Sequence, residues 1–223
     1  TGAALGVMFL SIVGDVDADG YPDVYASDWP NGAKGPSTGR VYVYSGREEK
    51  HLMMLEGEHA GDGFGRKVSG CGDADGDGHA DLLVGADNCD SFGADAGRAY
   101  LFSGKDGSLL LSLDGEEAGD KFGVSLTGAT LESATAKRET LIAIGAAGAG
   151  VRNLGRVYVF LWKQGEAELL YRIEPDETGA ALGVMFLSIV GDVDADGYPD
   201  VYASDWPNGA KGPSTGRVYV YSG

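Results

Sequence analysis

Three stretches of this chain set aspartates at alternate positions and close with one more: GDVDADGYPDVY at Gly14–Tyr25, GDADGDGHADLL at Gly72–Leu83, and a second GDVDADGYPDVY at Gly191–Tyr202. Such crowding is costly in water. Two carboxylates about 5 Å apart repel by roughly 3 kcal/mol at an effective dielectric of ~20. A cation among them reverses that balance, whereas acidic turns that merely solvate are the plain alternative. The spacing D-x-D-x-D-G-x-x-D favours the cation. In a tightly curled loop alternate side chains point inward, so Asp15, Asp17 and Asp19 converge. Gly20 takes the sharp turn, the Tyr21 carbonyl faces in, and Asp23 closes the shell. The same roles fall on Asp73, Asp75, Asp77, the His79 carbonyl and Asp81, and on Asp192, Asp194, Asp196, the Tyr198 carbonyl and Asp200. The His79 imidazole is expected to point outward. An all-oxygen shell of this size suits Ca²⁺ better than Mg²⁺, giving three expected calcium sites.

These loops need elements to hold them, and the chain repeats the elements. A short head recurs as TGAALG (Thr1–Gly6), AGDGFG (Ala60–Gly65), AGDKFG (Ala118–Gly123) and TGAALG (Thr178–Gly183). After each head come an apolar strand, a loop, and a second strand such as PDVYAS or ADLLVGA. A third strand, GRVYVYSG or its variants, follows a glycine-rich connector. A fourth, such as KHLMMLEGE, ends all units but the last. β-branched and aromatic runs between glycine and aspartate turns read as antiparallel hairpins. Four strands in roughly 60 residues, repeated, predict an all-β propeller of four-stranded antiparallel blades rather than a sandwich. The expected blades are 1–59, 60–117, 118–177 and 178–223, the last lacking its outer strand. The third has GATLESATAKRET (Gly128–Thr140) where the aspartates belong, so no metal site is expected there.

GDGFG, GDADGDGHAD, LLVGAD and GRAYLFSG together resemble the FG-GAP repeat, the blade of the integrin α-subunit head and its bacterial relatives. Phe-Gly stands at Phe64-Gly65 and Phe122-Gly123 and becomes Leu5-Gly6 and Leu182-Gly183 in the outer blades. The Gly-Ala-Pro part is only approximate, at Gly85-Ala86-Asp87 and Gly145-Ala146-Ala147. The resemblance implies that each blade's first strand lies innermost and that the aspartate loop joins strands one and two at the lower rim.

The formal charge of −17 excludes a nucleic-acid face and adsorption to anionic membrane, and no apolar run is long enough to span a bilayer. Cys71 and Cys89 leave two readings open, a bridge across a folded-back loop or two free thiols. Residues 1–46 and 178–223 are identical. A longer tandem array, a deliberate duplication and a homo-oligomer each account for that copy. His51, His59 and His79 fall in turns or the acidic loop and none repeats with a partner, and no nucleophile, zincin or phosphate-loop motif appears. No catalysis is therefore expected. The function expected is a calcium-stabilised scaffold, extracellular or at the cell surface, for an unknown protein or glycan ligand. Its contact loops would be Ala26–Gly39 with its copy and Gly85–Gly97, with Trp29 and Trp206 as contact residues or blade packing. The alternative is a non-catalytic propeller module of a secreted lyase- or phospholipase-type enzyme.

Overall fold

The computed structural model describes residues 10–131, 138–175, 181–205 and 216–223. The first head with Leu5-Gly6, the opening residues of the fourth repeat, Glu132 and Lys137 of the third loop, and Trp206 lie outside the described residues.

Strands β1 (Leu10–Gly14), β2 (Asp23–Ser27), β3 (Arg40–Tyr44) and β4 (His51–Glu56) form one antiparallel sheet in chain order. A second sheet holds β5 (Lys67–Gly70), β6 (Leu82–Ala86), β7 (Arg98–Phe102) and β8 (Leu109–Asp114). The third is β9 (Phe122–Leu131), β10 (Glu139–Ala146), β11 (Arg156–Lys163) and β12 (Glu166–Ile173). The fourth has three strands among the described residues: β13 (Leu187–Ile189), β14 (Val201–Asp205) and β15 (Arg217–Tyr221). This is the all-β architecture of stacked propeller blades. Successive first strands lie side by side, β1 by β5, β5 by β9 and β9 by β13.

Strand periodicity explains the stacking. Neighbouring residues of a strand face opposite sides of its sheet, so a strand apolar at every position serves two cores. In β6, Leu82 and Val84 enter the core shared with the first sheet, while Leu83 enters the core shared with the third. In β10, Ile142 and Ile144 face the second sheet, and Leu141 and Ala143 face the fourth. The head residue fills each seam. Phe64 meets Tyr100 edge-on at 5.5 Å, Phe122 meets Tyr158 at 5.3 Å, and Leu182, fully buried, stands in the same place before the fourth sheet. In the first three sheets the arginine that opens the third strand pins it to the end of the fourth: Arg40 to Glu56 at 2.9 Å, Arg98 to Asp114 at 2.6 Å and Arg156 to Glu174 at 2.5 Å.

The third blade departs where the aspartates are missing. Its first hairpin continues as β-ladder through Leu141↔Ala129, Thr140↔Thr130 and Glu139↔Leu131. In the second blade pairing stops at Gly70↔Leu82 and the acidic loop begins.

The duplicated segment shows which faces are seams. Val41 and Val43 are 0% exposed against the second sheet, yet their copies Val218 and Val220 are 58% and 50% exposed. Conversely Leu10 is 63% exposed, whereas its copy Leu187 is 9% exposed against the third sheet. Identical residues therefore offer a controlled comparison. We expect Val43→Ala to cost about 2 kcal/mol in urea unfolding and Val220→Ala less than about 0.5 kcal/mol. Equal costs would mean the first sheet is not buried against the second.

Candidate metal centre

The winding of the acidic loops is local. The fourth loop position takes positive φ in all three, 59° at Ala18, 88° at Gly76 and 63° at Ala195, and so does the sixth, at Gly20, Gly78 and Gly197. Alanine in that region carries strain of about 1 kcal/mol or more. The first aspartate holds the coil. Asp15 accepts the Asp19 and Gly20 N–H groups at 3.0 and 2.8 Å, and Asp192 accepts those of Asp196 and Gly197 at the same distances. Asp73 accepts from Gly76 and Gly78 at 2.7 and 3.0 Å.

The last aspartate of each loop has a second task that the spacing did not reveal. Asp23 Oδ2 accepts the Val16 N–H at 2.7 Å while its Oδ1 accepts the Gly46 N–H at 2.9 Å. Asp81 does the same with Ala74 at 2.7 Å and Gly104 at 2.9 Å, and Asp200 with Val193 at 2.7 Å and Gly223 at 3.1 Å. Each thus clamps its loop to the glycine that ends the third strand. That residue must be glycine, because a Cβ would lie 1.9 Å from the Pro22 carbonyl oxygen at Gly46 and 1.9 Å from that of Ala80 at Gly104. The signal was in the sequence. Ser-Gly follows the third strand in the three blades with acidic loops, and the third blade has Leu161-Trp162-Lys163 instead.

Carboxylate oxygens converge within 4.8 Å of one another in three groups: Asp15, Asp17 and Asp19; Asp73, Asp75 and Asp81; Asp192, Asp194 and Asp200. Of the expected carboxylates, Asp23, Asp77 and Asp196 stand outside these trios. Asp77 and Asp196 accept the N–H of His79 and Tyr198 at 3.0 and 2.9 Å, as Asp19 accepts that of Tyr21 at 2.9 Å. In the first loop Asp17 Oδ1 is buried without any hydrogen-bond partner. Burial, then the charges of Asp23 and Asp19, push the Asp17 carboxyl above the ordinary range. An unpaired inward oxygen beside two more carboxylates fits a hard cation.

Other residues singled out in the sequence also find their places. The His79 imidazole leaves its own loop for the neighbouring one. Its Nδ1 lies 2.7 Å from the Val16 carbonyl oxygen, where it donates, so it ties the second acidic loop to the first. Trp29 stacks with the Arg66 guanidinium, 5.0 Å from the ring centroid, and Arg66 grips Asp87 at 3.0 Å, so Trp29 packs between blades. His51 opens β4 against Tyr44, 5.4 Å away. Cys71 and Cys89 are free thiols buried in different cores.

Residues 64–102 match the FG-GAP repeat model. The chain is 31% identical to mouse integrin alpha-IIb across 93% of its own length, and 34% identical to the human protein across 76%. The chain belongs to the FG-GAP, integrin α-like propeller family. It spans only 20% and 17% of those two relatives. Among solved structures, a rhamnogalacturonan lyase, YesW, superposes with a TM-score of 0.52 at 19% identity, over 88% of this chain and 41% of the lyase. A Bacillus licheniformis rhamnogalacturonan lyase gives 0.50 at 15%, over 86% and 39%. These likenesses are of fold. Within this FG-GAP chain no described helix is long and apolar enough to cross a membrane.

Burial pushes the Asp81 carboxyl up to about 6, against the Gly104 and Ala74 N–H groups that pull it down. The folded chain then holds this proton more tightly than the unfolded chain, whose carboxyl titrates near 3.8. Stability from Asp81 is therefore lost as pH rises from 3.8 towards about 6, and the deficit persists above. With chelator present, Asp81→Asn should flatten the stability-versus-pH slope in that window, measured by urea unfolding. An unchanged slope would rule out Asp81 as its source.

Proposed function

We propose that this chain is a calcium-stabilised, non-catalytic scaffold that works outside the cell and presents its loops to a protein or glycan ligand. The observation that carries the calcium reading is the buried, unpartnered Asp17 Oδ1 among converging carboxylates. Kinship with integrin α subunits, which are cell-surface proteins, supports the location, and propellers of that family bind Ca²⁺ in general. The proposed ligands are Asp15, Asp17, Asp19, Asp23 and the Tyr21 carbonyl in the first blade. Their counterparts are Asp73, Asp75, Asp77, Asp81 and the His79 carbonyl in the second, and Asp192, Asp194, Asp196, Asp200 and the Tyr198 carbonyl in the fourth. A bound cation would supply the charge these loops lack and so tie the first two strands of each blade together. The contact surface proposed for a ligand is the connector Gly85–Gly97, which carries Phe92 at 63% exposure. With Trp29 engaged by Arg66, the connector Ala26–Gly39 offers backbone and polar groups instead.

Thermal unfolding in calcium chloride against chelator tests the first part. Calcium at about 100 times its Kd should stabilise by about 2.7 kcal/mol per filled site, with magnesium at equal concentration giving a smaller shift. Asp17→Asn should reduce the calcium increment by about one site's worth. Identical midpoints with and without calcium would end the calcium reading.

The scaffold reading extends to assembly. The Leu10 and Ile12 face of the first sheet and the Val218 and Val220 face of the fourth are exposed copies of faces that other blades cover within the chain. The occupant that matches them is another blade, supplied head to tail by a second copy of this chain. Light scattering should show mass rising with concentration, and Val218→Lys or Ile12→Lys should each hold the protein at monomer mass. A wild-type chain that stays monomeric at every concentration would remove assembly while leaving the calcium reading intact.

A further inference from the structure

Blade three has no aspartate loop, yet it reaches into the loop of blade two. Arg138 lies immediately before β10, and its Nη1 contacts both the Asp73 carboxylate and, at 2.9 Å, the Asp73 carbonyl oxygen. Asp73 belongs to the converging trio with Asp75 and Asp81. The arginine arm runs along the loop, its Cδ 3.5 Å from where a Cβ on Gly76 would stand. Loops one and four differ. The described partners of the Asp15 and Asp192 carboxylates are backbone N–H groups of their own loops. The Asp15 carbonyl is taken by the neutral Ala80 N–H at 2.8 Å. Blade two thus offers loop one an amide where blade three offers loop two a fixed positive charge.

Resting on the calcium reading above, we propose that Arg138 is a tethered counter-cation that competes with calcium for the Asp73 loop and lowers that loop's affinity for the ion. A guanidinium does not lose its proton, so it yields the carboxylate only by swinging away. Its side chain is half-exposed, and solvent is open to it through a cleft of about 670 Å³ that Arg138 lines with Asp75. The pair it leaves is a partly solvated one, so its loss weakens calcium binding by a modest factor, about fivefold. Without calcium the same contact neutralises part of the loop's charge, so blade two depends on the ion less than its aspartate count implies. Lys105, 3.9 Å from Asp77, acts in the same direction from within the second blade and is left unchanged in the test.

The test is a calcium chloride titration of the full 223-residue chain followed by amide NMR. Gly20, Gly78 and Gly197 report the three loops separately. Arg138→Gln should shift the Gly78 midpoint to about fivefold lower calcium while Gly20 and Gly197 stay where they were. In chelator the same variant should unfold at lower temperature than wild type, and saturating calcium should narrow that gap. Arg138→Lys keeps the charge but loses the two-atom contact. It should fall between the two and guards against a folding defect in the glutamine variant. A Gly78 midpoint that is unmoved, or moves to higher calcium, while the other two loops respond would overturn this inference alone. No response at any of the three glycines would remove the calcium reading and this inference with it.

Discussion

Carboxylates held closer together than water favours need a framework that stays put whether or not a cation is present, and here backbone amides supply it. The first aspartate of each loop accepts two N–H groups of its own coil, and the last accepts from the loop and from the end of the third strand, Asp23 and Asp81 taking two loop N–H groups each. A carboxylate has about four lone-pair sites, so accepting two or three amides still leaves directions open towards the centre. The clamp also joins elements distant in sequence, since Asp23 opens β2 and Gly46 follows β3. Loop and blade are therefore one mechanical unit. A charge placed in the loop acts on the sheet through the clamping aspartate and the glycine that it holds.

The units are stitched together where the acidic loops lie. The Ala80 N–H and the His79 ring bind carbonyls of loop one, at 2.8 and 2.7 Å. The Thr130 hydroxyl donates to the Cys71 carbonyl at 2.8 Å, next to the Arg138 contact on Asp73. These polar stitches run beside the apolar seams, where Phe64 and Phe122 fill the space between sheets. Hydrophobic burial supplies most of the cohesion between blades, and the polar stitches set their register. A change of charge in one loop is consequently felt at a seam, through residues that do not themselves carry a carboxylate.

Much of this was legible in the residues, for identifiable reasons. Alternation in VYVY has period 2 and the repeat has a period near 60, so the sheets and their order followed directly. Of the acidic trios, D-x-D-x-D coincides with the converging set only at Asp15, Asp17 and Asp19; in the other two loops the closing residues Asp81 and Asp200 take the third place. Contacts between blades were not legible. The His79 ring was expected outward because its loop position turns the carbonyl in; the partner it meets there, Val16, is 63 residues away in the neighbouring blade. The partner of Arg138 was not legible for the same reason: a cation inserted into a loop without aspartates carries no motif that says what it meets. Trp29 was open to two readings until Arg66 decided between them. The Gly46 and Gly104 clamp lay between these cases. Ser-Gly and the acidic loop occur together and disappear together, which is a pattern in the sequence, but its cause is a carbonyl 1.9 Å from an absent Cβ.

The duplicated segment separates what a sequence dictates from what its neighbours dictate. Loops one and four contain the same residues and close the same hydrogen bonds, Asp15 with Asp19 and Gly20, Asp192 with Asp196 and Gly197. Local winding is thus independent of context. Burial is not. Asp15, Asp17 and Asp19 are partly covered beside the second blade, whereas Asp192, Asp194 and Asp196 are exposed. Burial both raises the cost of leaving a carboxylate charged and unpaired and strengthens its pull on a cation, since each scales inversely with the local dielectric. Two loops of identical sequence therefore differ in how strongly they demand an ion, and the difference comes from the adjoining blade. By the same reasoning, a blade packed onto the open face of the fourth sheet changes that loop's demand without altering a residue of it.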